Sequence, residues 1–133
     1  MRLTTRSEYA LVSLIYIARH GKDGYVKLED ICKEYAISKK YLEQLLCSMR
    51  QARYITTRRG AGGGYKLARP AQKISVAEII RLMDGALAPT LAVSKYFYGH
   101  TPIEKEPKIM GVFKEIRDFV SEKVENLKIS NLV

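Results

Sequence analysis

The segment from residue 38 to residue 67 constrains the fold most, because its hydrophobic period changes without a long linker. In its first half, apolar residues recur three and four apart, as in one face of a helix: Leu42, Leu45, Leu46 and Met49. Its second half contains two short strand-like runs, 54–58 and 64–68, on either side of the turn RGAGGG. The pattern therefore predicts an amphipathic helix followed by a β-hairpin.

A shorter amphipathic helix is predicted just before this one. Its apolar positions are Leu28, Ile31, Cys32 and Tyr35. Only Ala36, Ile37 and Ser38 separate the two helices, and the Ser38 hydroxyl is suited to cap the second helix. This spacing is typical of a helix-turn-helix, and a basic hairpin after it makes a winged helix. We therefore predict a mostly α fold, a winged helix-turn-helix with a two-stranded β-hairpin wing.

The glycine-rich turn has more than one interpretation. Gly60, Gly62, Gly63 and Gly64 can adopt positive φ and bring the backbone close to a partner. Phosphate-binding loops are also rich in glycine, but they join a strand to a helix and end in Lys then Ser or Thr, whereas Tyr65 follows here. A nucleotide site is therefore disfavoured. A plain structural hairpin remains the alternative to a wing that contacts DNA.

Positive charge is concentrated in the same part of the chain. The 133 residues carry a formal net charge of +9, and residues 1–70 hold 14 of the 23 Lys and Arg but only 6 of the 14 Asp and Glu. A basic half suits the neutralisation of DNA phosphates. By itself, this balance would equally suit RNA or an acidic membrane surface.

Other classes of protein are disfavoured by what the sequence lacks. No apolar run approaches the roughly 18 residues that span a bilayer, so we expect a cytoplasmic protein without membrane contact. No G-x-S-x-G motif is present, and no enzyme is predicted. The distant His20 and His100 match no zinc spacing, so no metal or cofactor is expected. Cys32 and Cys47 are predicted on inward helix faces as small buried thiols, with a redox-sensing pair as the alternative.

The first helix of the chain is predicted from about Arg6 to Arg19. Thr5 is its expected N-cap, and Glu8 completes a capping box. Residues 9–18 are apolar or aromatic except at one serine, so the helix should be buried on more than one side. A second subunit would provide the additional cover.

The rest of the chain is predicted as a helix that starts at a capping box of Ser75 and Glu78, a loop over residues 86–107, and a final helix over residues 108–128. The final helix carries a narrow apolar stripe: Ile109, Phe113, Ile116, Val120 and Val124. This stripe could pack on its own domain, but an appended helix more often pairs with its twin across a two-fold axis. We therefore predict a C-terminal dimerisation helix, a DNA-binding domain over residues 1–85, and a candidate sensor segment between them.

Four ordered segments of the chain resemble the Rrf2 family of bacterial transcription regulators. They are MRLTTRSEYAL at the start, ISKKYLEQLL in the helix-turn-helix, RRGAGGGYKLARP in the hairpin and ISVAEIIRLMDG after it. The resemblance is dense over residues 1–86 and looser beyond them. It implies a winged helix with a C-terminal dimerisation helix, and contact with DNA by Lys40, Glu43, Gln44 and Arg59.

The predicted DNA-binding set combines these positions with their neighbours on the helix and the hairpin. It consists of Lys39, Lys40, Glu43, Gln44, Arg58, Arg59, Gly60, Gly62 and Gly63. We expect the helix to lie in the major groove and the wing against the minor groove or the backbone. Glu43 could accept a hydrogen bond from cytosine N4, and an ion pair with Lys39 or Lys40 is an equally good interpretation.

The chain departs from the family in one place. Cluster-binding members carry three cysteines in the loop before the last helix, and this chain has none between residues 86 and 108. An iron–sulfur cluster of that type is therefore not expected. The loop contains instead the aromatic set Tyr96, Phe97, Tyr98 and His100. These residues could line a small-molecule or haem pocket, and packing against a neighbouring subunit is the favoured interpretation.

The function predicted from the sequence is that of a homodimeric, sequence-specific DNA-binding regulator. We expect a repressor that binds a palindromic double-stranded operator and responds to an unidentified small-molecule or protein effector. The alternative is a winged helix that binds protein or RNA. Affinity for double-stranded DNA with a steep salt dependence would separate the two.

Overall fold

The computed structural model describes residues 2–133. Its helices and strands follow in the order α1 (Thr5–His20), α2 (Leu28–Tyr35), α3 (Lys39–Gln51), β1 (Ile55–Arg58), β2 (Gly64–Leu67), α4 (Val76–Asp84) and α5 (Pro107–Asn126). Short 3-10 helices lie at Ala71–Lys73, Leu91–Val93, Pro102–Lys105 and Ile129–Leu132. This order confirms the mostly α winged helix. Within the described residues, no helix combines the length and the hydropathy that crossing a bilayer requires.

The core forms around α1, which contacts α3, α4 and β2. The apolar stripe predicted for α3 is confirmed, because its side chains are completely buried: Leu42, Leu45, Leu46 and Met49. Leu14 and Ile17 of α1 and Ile31 of α2 belong to the same cluster. Burying a side chain of this size stabilises a fold by roughly 1.5–3 kcal/mol. The position of α3 is therefore fixed by its inner face, which leaves its outer face free.

Two of the predicted helix starts are confirmed. The Ser38 hydroxyl accepts a hydrogen bond from the Tyr41 N–H at 3.4 Å and caps α3. At α4, the Ser75 N–H donates to the Glu78 carboxylate at 2.8 Å, and the Glu78 N–H donates to the Ser75 hydroxyl at 3.1 Å. This reciprocal pair is the predicted capping box. Caps of this kind typically contribute about 1 kcal/mol each.

The start of α1 differs from the prediction. Thr4 is the N-cap, not Thr5, and its hydroxyl accepts from the Ser7 N–H, so the predicted capping box with Glu8 is not formed. The Asp84 carboxylate at the end of α4 accepts hydrogen bonds from the Thr4 N–H, at 3.1 Å, and from the Thr4 hydroxyl. A tertiary contact across 80 residues of sequence therefore sets this helix end. A local capping pattern cannot contain that information.

The wing is antiparallel over residues 55–58 and 64–67, and a third short segment joins it. Val26 and Tyr65 exchange both of their backbone hydrogen bonds, at 2.8 and 2.7 Å. The residue two positions before α2, Val26, therefore adds an isolated antiparallel bridge to the wing. The two-stranded hairpin was predicted, whereas this bridge is too short to leave a periodic signal.

The glycines of the turn serve different purposes. Gly60 and Gly64 have positive φ, 99° and 142°. Gly63 does not, but it is buried where a Cβ would overlap the carbonyl of Arg58. Gly62 has neither a positive φ nor a neighbouring atom within 4 Å of a built Cβ. The predicted use of positive φ therefore holds at two of the four glycines, and the fold itself does not require glycine at position 62.

Backbone hydrogen bonds join the residues that follow α5 to the residues around the start of α4. The Val76 N–H donates to the Leu127 carbonyl at 2.8 Å, and the Ile129 N–H donates to the Ile74 carbonyl at 2.9 Å. Ile129 is completely buried in the main core. Both ends of α5 lie within two residues of the predicted bounds.

Contacts with α4 and α5 hold the segment 86–107 in place. The Arg117 guanidinium of α5 donates to the Val93 carbonyl at 2.9 Å. From α4, the Arg81 guanidinium lies over the Tyr96 ring, 4.7 Å from its centroid. The predicted loop therefore contains two 3-10 helices within the described residues and follows a defined path along the last two helices.

Candidate nucleic-acid interface

The N-terminal half of α3 presents a polar face to solvent. Ala36 adopts the left-handed conformation, with φ of 54°, and ends α2, while the buried Ile37 anchors the turn. The predicted DNA-contacting residues of α3 are all exposed: Lys39, Lys40, Glu43 and Gln44. An exposed polar face at the start of the second helix of a helix-turn-helix suits insertion into the major groove.

One of the two interpretations of Glu43, an ion pair with Lys39 or Lys40, does not match the charges observed on this face. Lys39 pairs with Glu29 of α2, with its Nζ 3.5 Å from the carboxylate, and both side chains are more than 60% exposed. Glu43 forms no ion pair within residues 2–133. An exposed ion pair such as Lys39–Glu29 contributes little to stability, so a phosphate can displace it at small cost. The Glu43 carboxylate remains available as an acceptor.

The tip of the wing is open and basic. Arg58, Arg59, Gly60 and Gly62 are exposed, and Gly63 is buried against its own hairpin. The structure thus brings most of the predicted wing residues to one surface, with Gly63 serving the turn rather than that surface. A glycine at position 62, which the fold does not require, lets a partner approach the backbone closely.

One residue of the wing surface, Tyr25, was not predicted from the sequence. Tyr25, beside the bridge to β2, has the Arg58 guanidinium and the Lys66 ammonium each 5.9 Å from its ring centroid. Both separations fall within the range of a cation–π contact. The residues become neighbours only because Val26 pairs with Tyr65. In the sequence, the only signal of this arrangement is that an aromatic and a β-branched residue, Tyr25 and Val26, follow one another before α2.

Arg69 joins the wing to the end of α3. Its guanidinium donates to the carbonyls of Ala52 and Arg53, both at 3.1 Å, and lies 4.1 Å from the Tyr54 ring centroid. It also pairs with Glu78 of α4 at 3.5 Å. Burial opposes ionisation of Glu78, yet hydrogen bonds from the start of α4 and from Tyr54, together with Arg69, hold the pKa of this carboxyl below its ordinary value. The recognition helix, the wing and α4 therefore meet at one polar junction.

The two cysteines do not form a buried pair. Cys32 is half-buried, and burial, with the Glu29 charge next, raises the pKa of its thiol. The prediction that Cys47 is buried is wrong, because it is exposed. It follows Leu46 by one residue, or about 100° around the helix, so it leaves the inner face and joins the side that carries Glu43. Its sulfur accepts from Arg50 at 3.9 Å.

The predicted dimerisation stripe of α5 lies in two environments. Val120 and Val124 pack against buried residues of α4 in the same chain. Phe113 is half-buried, whereas Ile109 and Ile116 are 42% and 40% exposed. Packing against α4 sets the rotation of α5 about its own axis. This packing covers one edge of the stripe, at Val120 and Val124.

The exposed edge of α5 continues through two residues that the sequence analysis did not select. Val112 is 51% exposed and Phe119 is 65% exposed. Together with Ile109 and Ile116 they are spaced three, four and three residues apart, which places all four on one side of the helix. We name this set the α5 seam. Its spacing is the one by which two helices pack side by side.

These elements define the chain as a winged helix-turn-helix protein of the DNA-binding type. A model of the Rrf2 family, described as iron-dependent transcriptional regulators, matches residues 3–133. Protein rrf2 of Nitratidesulfovibrio vulgaris is 44% identical over 89 residues, which cover 67% of this chain and 59% of that protein. The chain belongs to the Rrf2 family, whose members are transcriptional regulators rather than enzymes.

Solved structures agree with this assignment. CymR, the global cysteine regulator of B. subtilis, superposes with a TM-score of 0.86 at 28% identity, over 99% of this chain and 95% of that chain. The IscR of T. potens superposes with a TM-score of 0.76 at 26% identity, over 99% of this chain and 85% of that chain. The matched residues span 55% to 59% of the length of the first curated relatives.

The description of the family raises the question of iron. Within residues 2–133, no three His, Cys, Asp or Glu side chains are placed to hold a metal ion. Cys32 and Cys47 lie on different helices of the helix-turn-helix, and the segment 86–107 has no cysteine. The residues present do not fit a cluster held by several thiolates.

Proposed function

We propose that this chain is a homodimeric, sequence-specific DNA-binding transcription regulator that acts in the cytoplasm as a repressor at a palindromic operator. The observation that carries the proposal is the exposed polar face of α3 beside an open basic wing tip, on a scaffold whose apolar side is fully packed. Bases are read from the groove, and phosphate contacts give most of the affinity.

We assign different roles to the helix and the wing. Gln44 has an amide suited to two hydrogen bonds with adenine, and Glu43 can accept from cytosine N4. Lys39 and Lys40 neutralise phosphates beside them. Arg59, at the exposed tip of the hairpin, meets the backbone or a narrow minor groove. These roles follow from side-chain chemistry and exposure.

Dimerisation is proposed through the α5 seam. Large apolar side chains that are 40% to 65% exposed in one row mark a surface that a partner covers. An isologous pairing of two seams places the two recognition helices about a two-fold axis. Half-sites about one helical turn of DNA apart, roughly 34 Å, or a multiple of it, would then be read together.

The signal is proposed to act through the segment 86–107, as a small-molecule or protein effector. Its aromatic residues Tyr96, Phe97 and Tyr98 are 70%, 44% and 56% exposed. We favour their packing against the neighbouring subunit. Protein purified without oxygen should show no iron–sulfur absorption and should bind its operator equally well after chelator treatment. A brown preparation with stoichiometric iron and sulfide would contradict this expectation.

Operator selection from a random double-stranded DNA library tests the proposal directly. The selected sequence should be a palindrome, and its affinity should fall steeply with salt because each phosphate contact releases counterions. Preference for RNA, or binding that salt leaves unchanged, would instead support the rival interpretation as an RNA- or protein-binding winged helix.

A further inference from the structure

An open crevice of about 620 Å³ separates the wing from the helix-turn-helix. One wall is the wing, with Arg58, Gly60, Gly63 and Gly64. The other is the start of α2, with Lys27 and Glu29, and Tyr65 of β2 lies between the walls. None of the roles assigned above accounts for this space.

Tyr65, which lines the crevice, carries one unused polar group. Its backbone N–H and carbonyl are both paired with Val26. Its hydroxyl makes no hydrogen bond within residues 2–133, unlike those of Tyr54 and Tyr98. Burial raises the pKa of Tyr65, followed by the negative charge of Glu43 on the outer face of α3. The hydroxyl therefore stays protonated, near the recognition helix, as a free donor.

Positive charge on the two walls is not balanced. Lys27 and Arg58 have no acidic group within 4 Å among residues 2–133. The acid in the crevice, Glu29, is paired with Lys39 on the side of the helix-turn-helix. The Arg58 guanidinium lies over the Tyr25 ring, 5.9 Å from its centroid, so both cations lack an acidic partner in the described part of the chain. Two such cations and a hydroxyl donor around one opening suit an anion that bears several acceptor oxygens.

The geometry of DNA identifies that anion, on the basis of the proposed function. If α3 lies in the major groove and the wing tip reaches the adjacent minor groove, one sugar–phosphate strand separates the two grooves and has to pass between the helix-turn-helix and the wing. We propose that the crevice seats this strand. The Tyr65 hydroxyl donates to a phosphate oxygen, and Lys27 and Arg58 neutralise its charge.

Such a contact contributes affinity and register without reading sequence. Tyr65→Phe removes only the hydroxyl and should weaken binding to all operator variants alike, by about tenfold. It should leave the salt slope unchanged, because no charge is lost. Lys27→Gln removes a cation and should lower the slope by about one unit. The matched controls Tyr16→Phe and Lys73→Gln lie outside the crevice and should bind as the unmodified protein does.

Operators with single neutral methylphosphonate linkages test the contact itself. At one position per half-site the linkage should weaken the unmodified protein, and there Tyr65→Phe should cause no further loss. If both variants match the unmodified protein while it keeps its steep salt dependence, the inference is wrong and the proposed function stands. A loss in Tyr65→Phe that no linkage position removes also overturns it. Absence of salt-dependent DNA binding by the unmodified protein would overturn the proposed function instead.

Discussion

The recognition helix and the last helix differ in how they bury apolar side chains. On α3, four large apolar residues are completely buried by the same chain. On α5, Ser121 is the buried residue, and the seam is 40% to 65% exposed. The position of α3 is fixed by its own chain, whereas the apolar seam of α5 is left uncovered by its own chain. Under the proposed function, DNA reading and dimer assembly would depend on separate surfaces.

Core truncation should give the largest effect. Leu46→Ala is expected to lower the free energy of unfolding by about 2–5 kcal/mol, because it leaves a cavity in the main core. Phe119→Ala, which removes a larger but exposed side chain, should leave the stability of the dilute protein nearly unchanged. Urea unfolding over a range of protein concentrations measures both. Equal losses at the lowest concentration would break the comparison.

A charge in the α5 seam should affect assembly rather than folding. Ile116→Glu places an unpaired carboxylate in the proposed interface, so we expect a monomer that has lost operator binding. Sedimentation and DNA titration should report the two losses together. Lys114→Glu adds the same side chain on another side of α5 and serves as the control. An unmodified protein that is monomeric at micromolar concentration would contradict the proposed dimer.

Gln44 of α3 and Arg59 of the wing should contribute to DNA binding in different ways. Gln44→Ala should relax preference at one base pair per half-site and weaken the matched operator by about 1–3 kcal/mol. Arg59→Ala should weaken most sequences alike and lower the salt slope by about one unit if it meets phosphate. If Arg59 enters a minor groove, the loss should concentrate on operators with flanking A·T pairs. A panel of single-base operator variants at several salt concentrations distinguishes these results.

The smallest expected effect is on how the stability of the protein depends on pH. Burial works against ionisation of Asp84, yet its hydrogen bonds from Thr4 hold the pKa of this carboxyl below its ordinary value. Its stabilisation is therefore complete above the ordinary carboxyl pKa and is lost as the pH falls through the folded value. The stability gap between the unmodified protein and Asp84→Asn should shrink between pH 7 and pH 3. Glu104→Gln, in the exposed segment before α5, should show a smaller gap at neutral pH.

Local signals predicted the parts of the fold that short stretches of sequence determine. The α3 stripe, the caps at Ser38 and Ser75 and the glycine turn are of this kind, because each depends on neighbours within a few residues. The N-cap at Thr4 was misplaced by one residue because its partner is Asp84. The face of α5 that meets α4 was equally inaccessible, because a narrow stripe does not state which of its edges the same chain covers.

The candidate site was predicted where side chains point outward from a single element. The α3 and wing residues were found in this way. Tyr25 and Tyr65 were not, because they join the surface only when the residues before α2 pair with β2. Cys47 was misassigned although the helical period places it one step beyond the buried Leu46. The helical period alone therefore predicts an exposed Cys47, without any tertiary contact.

The burial of Ile129 has a consequence for the order in which the protein can be made. The residues proposed to read DNA all lie before residue 70, so a ribosome completes them first. The cluster that holds α1 and α3 together nevertheless includes Ile129, whose backbone also pairs with Ile74. A nascent chain that has emerged only as far as α4 therefore has an open position in its core. We expect the recognition helix to reach its final rigidity only after α5 and the turn that follows it have left the exit tunnel.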